Sequence, residues 1–170
     1  MLRKNILGFF LTLSCVLVPP AFYVATAAGE GAVLPIHALT PGAIDPAVTQ
    51  ANINRTICVV GYTKTVRPPV SYTNALKFKQ LSGSYSRYGT TNMKLFEEDH
   101  LIPLAVGGSP TNPKNLWPEP WAGASGARMK DVLELKMHLM VCAHKITLTA
   151  AQKIFATDWY QGYVTYVAGK

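Results

Sequence analysis

The acidic residues of this chain crowd into one place. In the stretch "EEDHLIPLAVGGSPTNPKNLW" (97–117), Glu97, Glu98 and Asp99 run directly into His100. An imidazole titrates near neutrality, so it suits taking a proton from water. A carboxylate suits a hard cation such as Mg²⁺. A base beside a cation is the apparatus of metal-assisted hydrolysis. The competing reading of His100 is a hydrogen-bonded histidine at a strand end. Glu97 and Glu98 either tune Asp99, add a ligand or face solvent.

The residues before this cluster carry the opposite charge. Between Pro46 and Phe96 there is no Asp or Glu, yet Arg55, Lys64, Arg67, Lys77, Lys79, Arg87 and Lys94 fall there, interleaved with Tyr62, Tyr72, Tyr85 and Tyr88. Basic side chains neutralise phosphates and tyrosine rings stack on exposed bases. Arg67, Lys77, Lys79 and Arg87 are therefore the candidate nucleic-acid contacts. A solvated basic face with ordinary core tyrosines is the equally balanced alternative. The formal charge of +7 agrees with a polyanionic partner without requiring one.

Several elements are needed to position these groups. "TICVVGY" (56–62) has the β-branched content of a short strand. "VRPPVSYT" must turn, because two prolines cannot sit inside a ladder. Tyr72–Leu81 reads as a short helix and "SGSYSRYGTTN" as a loop. Met93–Asp99 reads as a strand, Gly107–Lys114 as a loop, and Asn115–Trp117 as the start of a second strand. Ala127 to about His144 has apolar residues at Met129, Leu133, Met137, Met140 and Val141, a helical spacing. A last helix runs from Ala150 to about Tyr163, with Thr149 and Gln152 as its capping box and Ile154, Phe155 and Trp159 as its core side.

The N-terminus is read differently. Arg3 and Lys4 precede an almost wholly apolar run, Ile6–Val24, and small residues at Ala25 and Ala27 follow. That is the pattern of a secretory signal peptide over residues 1–27. Residues 28–50, rich in Gly, Ala and Pro, read as a linker or extended arm, and 51–170 as one domain. Losing Arg3 and Lys4 leaves 14 basic against 9 acidic side chains. No later apolar run is long enough to span a bilayer, so no stable membrane association is expected after cleavage. The expected location is periplasmic or secreted. Cys15 leaves with the signal, so Cys58 and Cys142 read as one disulfide, with two buried free thiols as the alternative.

With these residues in view, "EDHLIPLAVGGSPTNPKNLWP" resembles the first two motifs of the HNH, or ββα-metal (His-Me finger), endonuclease family. That family pairs "DH" on a first strand with an asparagine at or near a second, and a helix completes its metal site. "LWPEPW" and "MKDVLELKMHLMVC" resemble an exported bacterial branch. The sharp resemblance covers about Glu97–Cys142. It implies a small α+β fold: a ββα-metal core with a short β-hairpin, flanking helices and one disulfide in place of a zinc knuckle. It implies hydrolysis of nucleic acid, DNA rather than RNA. His100 would be the general base, and Asn115 would brace the loop that holds it. Asp99 would bind one divalent metal ion, Mg²⁺ first, with Mn²⁺, Ca²⁺ or Zn²⁺ as alternatives. The chain departs from the family in the helix, where a His or Asn ligand is usual. Here Asp131, Glu134 and His138 share a face, with Glu134 and Asp131 the preferred ligands, against an ordinary i,i+4 pair of Lys130 and Glu134. A catalytically inactive nucleic-acid-binding module and a secreted structural domain are the rival classes.

Overall fold

The computed structural model describes residues 33–123 and 125–169; the expected signal segment, with Cys15, lies outside them. The described elements are α1 (Tyr62–Val66), α2 (Val70–Ser82), β1 (Phe96–His100), β2 (Leu116–Pro120), α3 (Ala127–Cys142) and α4 (Leu148–Tyr163). The fold is a small α+β arrangement: one antiparallel hairpin, with α2 on both strands and α3 packed against α4.

Proline and glycine set the limits of α2. Pro69 is its N-cap in extended conformation, and Gly83 follows its last residue. The helix expected at Tyr72–Leu81 therefore starts two residues earlier. The strand expected over Thr56–Tyr62 does not form. The described sheet contains only β1 and β2, so this segment has no strand to pair with. It satisfies its backbone through turns instead, with Cys58 N donating to Ile53 O at 3.0 Å and Val59 N to Thr56 O at 2.9 Å. Val59 and Val60 consequently stay exposed, while Ile57 is buried.

The hairpin register pairs Glu97 with Glu119, Glu98 with Pro118, Asp99 with Trp117 and His100 with Leu116. Met93–Leu95 forms a 3₁₀ turn capped by Asn92, which delays the strand start to Phe96. Pro118 and Pro120 are tolerated in β2 because each strand of a two-stranded sheet keeps an open edge. Residues 33–49 are more than a linker. They lie along the hairpin loop, with Gly42 N donating to Lys114 O, Asp45 N to Gly107 O and Ser109 N to Ala43 O. Thr40 is buried and its hydroxyl meets the Tyr85 hydroxyl at 2.8 Å.

In α3 the fully buried residues are Ala127, Lys130, Leu133, Met137 and Val141. Met129 and Met140, expected on the apolar side, only flank this stripe. Ahead of α4 the cap is Thr147, whose hydroxyl accepts from Ala150 N, rather than Thr149. Leu148, Ala151, Phe155 and Trp159 then bury against α3 and the hairpin side chains Leu101 and Trp117. Of the core side expected for α4, Phe155 and Trp159 are buried and Ile154 is half-buried.

Cys58 and Cys142 form a disulfide across 84 residues of sequence, tying the turn before α1 to the end of α3. Closing a loop of that length removes much of the unfolded chain's freedom. The Cys58→Ser/Cys142→Ser pair is expected to lose about 2–5 kcal/mol in urea unfolding. A loss under about 1 kcal/mol would mean the bridge adds little to the packed core.

Candidate functional site

The loop between the strands is built around Asn115, which is fully buried. Its side-chain oxygen accepts from Ile102 N at 2.9 Å and from Ala43 N at 3.3 Å. Its side-chain nitrogen donates to Ile102 O and Ser109 O, both at 3.0 Å. One side chain therefore binds both ends of the 102–109 loop and the N-terminal arm. The double glycine fits the same design. Gly107 has φ of 76°, and a side-chain carbon on Gly108 would collide with the Ile102 carbonyl.

His100 ends β1 at the entrance to this loop and is 4% exposed. Its Nε2 lies 2.9 Å from Pro110 O. A carbonyl only accepts, so Nε2 carries the proton and Nδ1 keeps its lone pair in the neutral ring. Burial holds the imidazole below its ordinary pKa, against the opposing pull of Asp99 and the Pro110 bond; Lys130 and Arg67 push it further down. The ring is therefore neutral, and able to accept a proton, at pH 7.

Asp99 points to the other face of the strand, with Glu97 and, across the register, Glu119. This face meets α3. Lys130, 1% exposed, makes an ion pair with Asp99 Oδ2 and donates to His100 O at 2.8 Å. Burial alone would raise Asp99, but the Lys130 ammonium beside it brings it below the usual carboxylate range. Glu119 is fully buried, and neither of its oxygens accepts a bond from a donor among the described residues. Burial, and repulsion by Asp99 and Glu97, hold it well above the ordinary value. Glu97 and Glu134 are pushed up to about 7 by burial, and Asp131 is raised for the same reason. Lys130 is raised, because Asp99, Glu119 and Glu134 outweigh its burial.

The cluster thus includes two residues that the sequence reading passed over. Glu119 becomes visible once the hairpin register is drawn, because it falls opposite Glu97. For Lys130 the sequence offers only an i,i+4 pair with Glu134, as one alternative to Glu134 binding metal. The 127–130–133–137 spacing shows instead that it lies on the buried stripe. Glu98 is 8% exposed rather than solvent-facing, and burial pushes it up to about 8.

The structure separates the three helix candidates. Asp131 is exposed and Glu134 half-buried. His138 Nδ1 donates to Ala105 O at 3.0 Å, away from Asp99. With Glu134 it lines a cavity of about 350 Å³ against residues 57–63. Among the described residues, no three His, Cys, Asp or Glu side chains converge to hold a metal ion. The donors suit a hard cation by chemistry, but the ligand expected to lead, Asp99, is committed to an ammonium. As arranged, these residues do not fit a resident divalent ion.

The basic candidates divide as well. Arg67 is exposed and close enough for its charge to act on His100, Glu97, Asp131 and Glu134. Lys79 is exposed on α2. Lys77 donates to Phe96 O at 3.0 Å. Arg87 donates to Leu34 O at 2.9 Å and lies over the Tyr85 and Tyr88 rings. Lys77 is thus engaged inside the fold, while Arg87 is tied to Leu34 O at an exposed position. Tyr85 is a core residue, and burial pushes the half-buried Tyr88 up to about 12. These two rings support the hairpin and are not open platforms for bases.

Comparison of the chain with protein-family models, curated proteins and solved structures gave no match.

The raised carboxyls make stability depend on pH. In the fold Glu97 and Glu134 hold protons up to about 7 and Glu98 up to about 8, against an ordinary 4.5. The folded state then binds more protons than the unfolded chain, so stability falls as pH rises through that range. Asp99 and His100 work in the opposite sense, but only below their ordinary values of 3.8 and 6.5. The melting temperature should therefore decline from pH 6.5 to about 8. A flat or rising profile in that window would contradict the buried carboxyls.

Proposed function

We propose that this chain hydrolyses phosphodiester bonds in nucleic acid outside the cytoplasm, with His100 as the general base. The observation that carries the reading is the Asn115 clamp together with the His100 tautomer. A buried side chain spends three of its four hydrogen bonds on the shape of one loop and the fourth on the N-terminal arm, and that loop leads into the carbonyl that orients a neutral imidazole. Such precision has little purpose in a purely structural turn. It is what a base needs, since small misplacements are costly in rate.

In the proposed reaction, His100 Nδ1 takes a proton from water as the water oxygen bonds to phosphorus. The phosphorus–oxygen bond to the departing nucleoside then breaks, and the leaving oxygen takes a proton from solvent while His100 returns its own to solvent. Arg67, exposed beside His100, supplies positive charge to the phosphate. Asn115 is a positioning residue. DNA is the first substrate to test, as the family resemblance implies. Export is supported by the disulfide, which persists in oxidising compartments. No helix among the described residues is long and apolar enough to cross a membrane.

The test is digestion of labelled DNA and RNA by the purified oxidised protein, with and without Mg²⁺. Cleavage products support the proposal. Salt-dependent binding without cleavage in any buffer selects the binding-module reading instead. Arg67→Ala should weaken nucleic-acid affinity and flatten its salt dependence by about one phosphate contact. Lys77→Ala should act mainly on stability. Equal affinity and slope for Arg67→Ala and wild type would remove Arg67 from the interface.

A further inference from the structure

A hard divalent cation and a cluster of buried carboxylates solve the same electrostatic problem from opposite sides. Here an ammonium side chain stands at the cluster. Lys130 reaches the cluster from α3 with its ammonium 1% exposed. It pairs with Asp99 Oδ2, donates to His100 O at 2.8 Å, and lies 5.6 Å from the Phe155 ring centroid. Glu119, fully buried and without a donor partner among the described residues, faces the same charge. An ammonium at this point binds a carboxylate and a backbone carbonyl, two oxygen types that would otherwise be available to Mg²⁺ or Mn²⁺.

We infer that Lys130 is the built-in cation of this cluster and takes the place of a divalent metal ion, so the resting site binds none. A second cation at Asp99 would meet the ammonium at contact range, beside a side chain that is only 16% exposed. The inference deepens the proposed hydrolase reading. It makes the phosphate's positive partner Arg67 and makes Lys130 a positioning residue, holding Asp99 and the His100 backbone together. Cleavage would then proceed in chelator.

Metal binding tests this without relying on activity. The oxidised, chelator-treated protein is titrated with Mn²⁺ and free ion is followed by electron paramagnetic resonance. Wild type should show no saturable binding at micromolar concentrations. Lys130→Gln removes the charge and leaves the carboxylates. It should bind one equivalent at least about 10-fold more tightly, a change of about one logarithmic unit in Kd. Its melting temperature should rise with Mn²⁺ while that of wild type does not. One equivalent bound by wild type at micromolar Kd, and lost in Asp99→Asn, overturns the inference. So does a folded Lys130→Gln that binds no Mn²⁺. If Lys130→Gln does not fold, the wild-type titration decides alone. Cleavage seen only with added metal also overturns the inference while leaving the hydrolase reading standing. Absence of cleavage in every buffer defeats the hydrolase reading, and the Mn²⁺ titration still judges Lys130.

Discussion

His100→Ala is expected to lower the rate of phosphodiester hydrolysis by about 10²–10⁴-fold, the usual contribution of a positioned base. Three observations lead to that expectation. The Nε2 proton is given to Pro110 O, which leaves Nδ1 as the proton acceptor. Burial keeps the ring neutral at pH 7. Asn115 fixes the loop on which Pro110 depends. The substitution also leaves the Pro110 carbonyl without its donor, which costs about 1–3 kcal/mol of stability if water does not reach it. Rates should therefore be compared below the melting temperature of the variant. The rate of wild type should fall on acidification only below the ordinary imidazole value of 6.5, because the folded ring is harder to protonate. His100→Ala should lose that acidic limb. A folded His100→Ala that cuts at the wild-type rate would show that His100 is not the base.

Asp99→Ala is expected to destabilise the fold by about 3–5 kcal/mol, the cost of leaving a buried charge without its partner. The stranded group is Lys130, which has a single salt-bridge partner among the described residues and cannot reach solvent. Asp99→Asn should cost less, since its amide oxygen still accepts from the ammonium. Lys130→Met alone should also be costly, because it removes the cation that holds down the repulsion among Asp99, Glu119 and Glu134. Combining Asp99→Leu with Lys130→Met should cost less than the two single changes summed, because the exchange of a buried pair for apolar groups is often close to neutral. Urea unfolding of wild type, Asp99→Leu, Lys130→Met and the double variant measures the coupling directly. Single changes that each cost under about 1 kcal/mol would mean that the pair is solvated and that Lys130 does not organise the cluster.

The helical periods of α3 and α4 and the proline boundary of α2 could be read locally, because a 3.6-residue stripe and a missing amide act over one or two turns. The cap of α4 was misplaced by two residues because Thr147 and Thr149 offer the same hydroxyl, and only the backbone decides which one faces Ala150 N. The turn at 56–62 was misread as a strand. β-branched residues favour a strand only where another strand offers partners, and that depends on the rest of the chain.

At the candidate site the division is sharper. Residue chemistry singled out Asp99 and His100, and the resemblance to the HNH pattern added the double glycine and Asn115. The expected signal segment, and the two cysteines that would remain after it, pointed in the same way to the bridge between Cys58 and Cys142. Which groups share a face was decided only by the tertiary structure. Glu119 joined the cluster through strand register, and Lys130 through the rotation of α3. The same packing drew Lys77 into the fold, tied the exposed Arg87 to Leu34 O and left Arg67 open. Charge on a sequence is a property of one residue. The cost of burying that charge, and therefore the identity of its partner, belongs to everything packed around it.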